Sequence, residues 1–175
     1  FNRIRKLSDA AEKLKQLELI RAWETSGPGS FYDEVGNIAK SPHVIRGEGL
    51  NTDPMMERNP TPGFWWWDDG SSRKRLSWQT SMDWPLGLVY HHLDPQATYR
   101  VRLTGYGQAK LRANGQLLTP TKDAKHEIGE FKEFPVPANL IKDGKLKLTF
   151  DLPTDEAHLN WRQQSRVSEV WLLKD

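Results

Sequence analysis

The clearest alternation of apolar and polar residues runs through Tyr99, Val101 and Leu103, interleaved with Arg100, Arg102 and Thr104. A period of two puts successive side chains on opposite faces, so this stretch predicts a half-buried strand with a polar outer surface. Leu146, Leu148 and Phe150 repeat the pattern within Lys145–Phe150, and apolar runs at Leu86–Leu93 and Val167–Leu173 predict two more strands. Leu111–Ala113 and Gln116–Leu118 flank Asn114-Gly115, a dipeptide suited to the positive φ angles of a type I′ hairpin turn. A second hairpin is expected where Phe64–Trp67 and Leu76–Gln79 flank Asp69-Gly70, with a loop longer than two residues. Phe134-Pro135-Val136-Pro137 reads as a lead into a short turn around Leu140. Roughly eight short strands with no helical pattern between them predict an all-β fold, an antiparallel β-sandwich or jelly roll.

The period changes at the N-terminus. Leu7, Ala10, Leu14 and Leu17 follow i, i+3, i+4 steps with Lys6, Lys13 and Lys15 between them, the pattern of an α-helix. Asp9 with Glu12 three residues later has capping-box spacing, and Leu19-Ile20 and Trp23 prolong the apolar stripe until Gly27-Pro28-Gly29. The division that follows is a helix or connector over residues 1–26 and a sandwich over 27–175, with core strands in 64–173. This helix either packs on one side of the sandwich or connects it to an upstream module. Residues 27–63 are dense in turn signals and read mainly as long structured loop. Irregular stretches of this length are often functional.

A length of 175 residues fits one domain with a short appendage. Twenty-five Lys and Arg against 23 Asp and Glu leave a net charge of +2, too little to gather nucleic acid or an acidic membrane surface. No apolar run approaches the ~20 residues of a membrane-spanning helix. The absence of cysteine removes disulfides, thiolate nucleophiles and Cys-ligated zinc. The chain begins on Phe1, which reads as a processed chain, an excised domain or a tagged fragment. Eight Trp outnumber six Phe and four Tyr, an excess that suggests aromatics with work outside a core.

No arrangement of residues predicts catalysis. There is no G-x-S-x-G elbow, no H-E-x-x-H, no phosphate loop and no dinucleotide fingerprint. His91 and His92, read as neighbours on a strand, face opposite ways and cannot share a metal. Asp33-Glu34 and Asp68-Asp69 pair carboxylates, but spacing along a chain does not establish the ~5–9 Å separation that glycosidic chemistry needs. The chain is therefore expected not to be an enzyme.

Two stretches carry binding chemistry instead. Trp65, Trp66 and Trp67 stand beside Asp68, Asp69 and Arg73. Three consecutive indoles are hard to bury together. An exposed indole face matches the apolar C–H face of a pyranose, while neighbouring carboxylates and a guanidinium bond its hydroxyls. Asn160, Trp161 and Arg162, followed by Gln163-Gln164, repeat that combination before the last strand. The plainer reading in each case is that the rings fill or plug the sandwich. Tyr32 is a further candidate for the same rim.

The order Leu93-Asp94-Pro95, Tyr99-Arg100-Val101-Arg102, Leu111-Arg112-Ala113-Asn114-Gly115, Phe134-Pro135-Val136-Pro137, Gly144-Lys145-Leu146-Lys147-Leu148 and Val167-Ser168-Glu169-Val170-Trp171-Leu172 resembles galactose-binding-like β-sandwich domains. These are jelly rolls found as ancillary modules beside glycoside hydrolases and polysaccharide lyases. Phe31-Tyr32-Asp33-Glu34-Val35-Gly36-Asn37 is similar to a segment preceding such domains in large bacterial saccharide-processing proteins. The resemblance implies a non-catalytic carbohydrate-binding module, periplasmic or secreted, whose partners are a poly- or oligosaccharide and an attached catalytic domain. The alternative it leaves open is an accessory domain that braces a catalytic module and binds nothing itself. It also implies a structural calcium in several members; Asp33, Glu34 and Asn37 supply suitable hard oxygens, although their spacing matches no specific calcium loop and suits a capped surface turn.

Overall fold

A computed structural model describes residues 2–35, 40–45, 86–123, 131–159 and 165–175. The described chain is mostly β, with two antiparallel sheets and one long helix, the architecture of an all-β sandwich. A single helical turn, α1 (Asn2–Arg5), precedes the long helix α2 (Ala10–Glu24). Asp9 caps α2 as its position predicts, its carboxylate accepting the Ala11 N–H at 2.8 Å. Glu12 does not close a capping box; its carboxylate accepts from the Gln16 side chain one turn on, at 2.8 Å. Thr25 ends the helix before the Gly27-Pro28-Gly29 run.

Nine strands follow: β1 (Phe31–Glu34), β2 (Val44–Ile45), β3 (Leu86–Tyr90), β4 (Tyr99–Tyr106), β5 (Lys110–Ala113), β6 (Gln116–Leu117), β7 (Lys132–Val136), β8 (Leu146–Asp151) and β9 (Arg166–Lys174). They form a four-stranded sheet in the order β1-β9-β4-β7 and a five-stranded sheet in the order β2-β3-β8-β5-β6. Alternation places Tyr99, Val101 and Leu103 of β4 against Leu146, Leu148 and Phe150 of β8, all buried between the sheets. Leu88 and Tyr90 of β3, Leu111 and Ala113 of β5, and Val170 and Leu172 of β9 complete this apolar layer. Each fully buried Leu or Phe contributes about 1.5–3 kcal/mol of transfer free energy, so this layer dominates the stability.

Three differences from the sequence expectations have physical causes. Two strands, β1 and β2, arise inside the stretch read as loop. Both are short edge strands, where few residues supply alternation and turn signals outweigh it. The strand β7 accommodates Pro135 because that residue sits on an edge strand and is exposed. His91 and His92 lie beyond β3, not on it; both are exposed, and His92 adopts φ 58° in the turn toward β4. The expected strands Phe64–Trp67 and Leu76–Gln79 lie outside the described residues.

The two ends of the sandwich are built differently. At one end lie the β3–β4 turn, the Asn114-Gly115 hairpin and the β7–β8 connection. Asn114 takes φ 46° and Gly115 φ 85°, the pair of positive angles that the hairpin turn requires. At the other end, register pairs Ile45 with Gly87, Leu86 with Phe150 and Lys110 with Asp151 in sheet two, and Tyr106 with Arg166 in sheet one. The chain crosses between the sheets here through Gly107–Ala109. Gly107, at φ 79°, approaches Ser165 so closely that a Cβ would overlap its side chain. The Ser165 hydroxyl in turn accepts the Gln108 N–H at 2.6 Å.

Candidate functional site

The strand β1 reads Phe-Tyr-Asp-Glu, and its period of two sends neighbouring polar groups to opposite sides of the first sheet. Asp33 points between the sheets and is fully buried. Tyr32 and Glu34 point outward, where their register partners on β9 are Trp171 and Glu169.

Inside, the Asp33 carboxylate is met by three donors. Its Oδ2 accepts from the Tyr90 hydroxyl at 2.9 Å, and its Oδ1 accepts the His43 backbone N–H at 3.1 Å. The His43 ring nitrogen Nδ1 lies 3.0 Å and 3.1 Å from the two oxygens. Tyr90 belongs to β3 and His43 immediately precedes β2, so one carboxylate from the edge of one sheet ties the edge of the other. Aromatic contacts hold the imidazole: Tyr90 stacks on it at 4.6 Å and Phe31 meets it edge-on at 5.1 Å. Burial, and next the negative charge and hydrogen bond of Asp33, push the Tyr90 hydroxyl well above the usual phenol range. Tyr90 therefore stays a proton donor to Asp33.

Outside, Glu169 is buried although it faces away from the core. The Tyr32 hydroxyl donates to its Oε1 at 2.8 Å and the Thr104 hydroxyl to its Oε2 at 2.9 Å. Tyr32 leans on Trp171 at 5.1 Å, and Phe131 meets Trp171 edge-on at 5.8 Å. The Arg102 guanidinium lies 4.8 Å over the Phe131 ring and pairs with Glu133 at 2.7 Å. The outer face of this sheet thus carries an aromatic row bordered by carboxylates, a hydroxyl and a guanidinium.

At the crossing end, Lys132 is buried with its ammonium on the Gly107 carbonyl oxygen and 3.9 Å from Asp123. Burial pulls its pKa down, partly offset by the charges of Asp123 and Glu156. Glu156 accepts the Ser165 hydroxyl at 2.7 Å.

Of the residues singled out from sequence, Tyr32, Asp33 and Glu34 are described. Asp33 and Glu34 face opposite sides of one sheet and do not converge on a common cation. Among the described residues no group of three or more His, Asp and Glu is arranged to hold a metal ion. Trp65, Trp66, Trp67, Asp68, Asp69, Arg73, Asn160, Trp161, Arg162 and Asn37 lie outside the described residues. Sequence reasoning did not single out His43, Tyr90, Thr104 or Glu169. Glu169 had a signal, a carboxylate flanked by the apolar residues of a strand, Val167 and Val170–Leu173; His43 had none. No helix of the described chain is long and apolar enough to cross a membrane. No protein-family model matches the chain, and no curated protein matches it.

Proposed function

We propose that this chain is a non-catalytic carbohydrate-binding module, a galactose-binding-like jelly roll that supports a polysaccharide-degrading enzyme in the periplasm or outside the cell. The observation that carries this reading is where the two Trp-bearing stretches are anchored. Trp65–Asp69 belongs to the connection between Ile45 and Leu86, and Asn160–Gln164 to the connection between Leu159 and Ser165. Those anchors lie at the same end of the sandwich. Binding sites on rigid sandwiches are commonly assembled from connections at one end. Trp65, Trp66, Trp67 and Trp161 supply stacking surfaces in this reading, while Asp68, Asp69, Arg73, Asn160 and Arg162 bond sugar hydroxyls, with Tyr32 alongside.

A few stacking and hydrogen-bonding contacts of about 1 kcal/mol each correspond to affinities from micromolar to millimolar. A glycan array on the chain, followed by calorimetric titration of Trp66→Ala and Trp161→Ala, tests this. Loss of saccharide affinity with unchanged melting temperature supports the reading. Unchanged affinity in both variants, or melting losses as large as those of Trp171→Ala, overturns it.

One observation favours a second reading, an accessory domain that packs on a catalytic module. Leu14 is 59% exposed and Leu17 43% exposed on α2. A chain that binds no glycan yet self-associates less after Leu14→Glu/Leu17→Glu would favour it.

A further inference from the structure

The Asp33–His43 pair does more than a latch between sheet edges requires. Asp33 already receives the His43 backbone N–H and the Tyr90 hydroxyl, which satisfy a buried carboxylate and join β1 to the segments around β2 and β3. The imidazole adds a third bond through Nδ1 alone. Its other nitrogen, Nε2, has no partner among the described residues, and it is not among the buried, unpartnered side-chain atoms. The side chain is 22% exposed. His43 thus presents one nitrogen outward from a ring clamped by Asp33, Tyr90 and Phe31.

We propose that His43 Nε2 is a hydrogen-bonding contact for a saccharide hydroxyl, with Asp33 as its positioning residue. This rests on the carbohydrate-binding reading and adds a contact to it on described residues. A carboxylate on Nδ1 favours the tautomer with its proton there and leaves Nε2 facing away from Asp33. When neutral, Nε2 is an acceptor; when protonated, it is a donor. A sugar hydroxyl serves either state, because it both donates and accepts. The groups facing the ring are Asp33 from β1 and the neutral Tyr90 hydroxyl from β3; no other charged side chain among the described residues bonds to it. The site also lies two residues before Ile45, where the chain leaves β2 toward the Trp65–Asp69 stretch.

Long-range proton–nitrogen correlation spectra of the whole chain decide this, recorded with and without methyl glycosides of glucose, galactose and mannose. His43 should carry a proton on Nδ1, and Nε2 should shift on adding the glycoside that binds. His43→Ala should weaken that glycoside about five- to tenfold, the effect of one hydrogen bond. Asp33→Asn, whose amide can donate to Nδ1, should move the proton to Nε2. Asn114→Ala, in the β5–β6 turn on the far side of β8 from His43, should lower the melting temperature without changing affinity. A proton resident on Nε2 in the wild-type chain overturns the proposal without any ligand and whether or not Asp33→Asn folds. Glycoside binding that leaves the His43 nitrogens and the His43→Ala affinity unchanged overturns it while the carbohydrate-binding reading stands. Binding of no glycoside and no glycan by the wild-type chain overturns both.

Discussion

The two ends of the sandwich reach closure by different chemistry. At the hairpin end the chain turns back within a few residues, and the fixing bonds are local or exposed. Asn114 donates to the Leu140 carbonyl at 2.7 Å and accepts the Lys147 N–H at 2.8 Å; Asp94 accepts the Gln96 N–H at 2.9 Å. At the crossing end the fixing groups are buried or half-buried side chains, most of them from distant positions: Lys132 on Gly107, Ser165 on Glu156, and Tyr32 and Thr104 on Glu169. Among the described residues Glu34, Thr104, Lys132, Ser165, Ser168 and Glu169 are buried and polar on this side, and no residue of the three hairpin-end turns is. A buried polar group must find a partner, so it fixes geometry at high stake; an exposed turn bond competes with water and matters less.

The apolar layer joins both ends, and removing part of it should produce the largest effects. Phe150→Ala near the crossing end and Leu146→Ala near the hairpin end each delete a fully buried side chain of β8. Costs of about 3–5 and 2–5 kcal/mol are expected, measured by urea denaturation. Comparable losses would establish one continuous core. A loss below 1 kcal/mol at either position would mean the ends have separate cores and would remove the basis of the comparison.

Next comes Glu169→Ala, which removes the carboxylate that accepts from the half-buried Tyr32 hydroxyl and the buried Thr104 hydroxyl. Disturbing the hydrogen bond of a buried polar group costs about 1–3 kcal/mol, and a loss in that range is expected. Glu169→Gln keeps the shape and one carbonyl acceptor and should recover part of it. Asn114→Ala at the hairpin end loses two exposed bonds and a residue tolerant of φ 46°, for about 1–2 kcal/mol. If Asn114→Ala proves costlier than Glu169→Ala in the same denaturation series, the contrast between the ends is wrong.

This contrast also explains what could be read from the sequence. The hairpin end was legible because its determinants are adjacent residues: Asn114-Gly115 names its own turn, and Leu146, Leu148 and Phe150 name their own face. The long helix with its Asp9 cap was legible for the same reason. The strands β1 and β2 were not, since two to four residues on an edge are held by pairing with β9 and β3. The Asp33–His43–Tyr90 cluster was not legible either. Its members are 10 and 57 positions from Asp33, and only the packing of one sheet on the other joins them. The strand period sends Asp33 inward and Glu34 outward, so these two carboxylates do not offer oxygens to one cation.

The smallest expected effect belongs to the Asp94–Lys174 pair at the hairpin end, and pH exposes it. The two groups meet at 2.7 Å and are both well exposed. The Lys174 hydrogen bond, helped by the Gln96 N–H, lowers the Asp94 pKa; the same contact raises that of Lys174. A carboxylate with a depressed folded pKa stabilises the fold above its unfolded value of about 3.9, and that contribution fades as pH falls through the folded value. For Lys174 the sign reverses, with stabilisation complete below about 10.4 and lost as pH rises through the folded value. Asp94→Asn should therefore melt slightly lower than wild type near neutral pH and converge with it near pH 2.5. At 0.5 M salt the difference near neutrality should shrink, since screening acts fully on an exposed pair. Thermal melts of both proteins from pH 2.5 to 7, at low and high salt, measure this directly. A gap that persists unchanged at pH 2.5, or that ignores salt, would show that Asp94 acts through buried bonding as Glu169 does, and the two ends would then differ less than their bonding partners indicate.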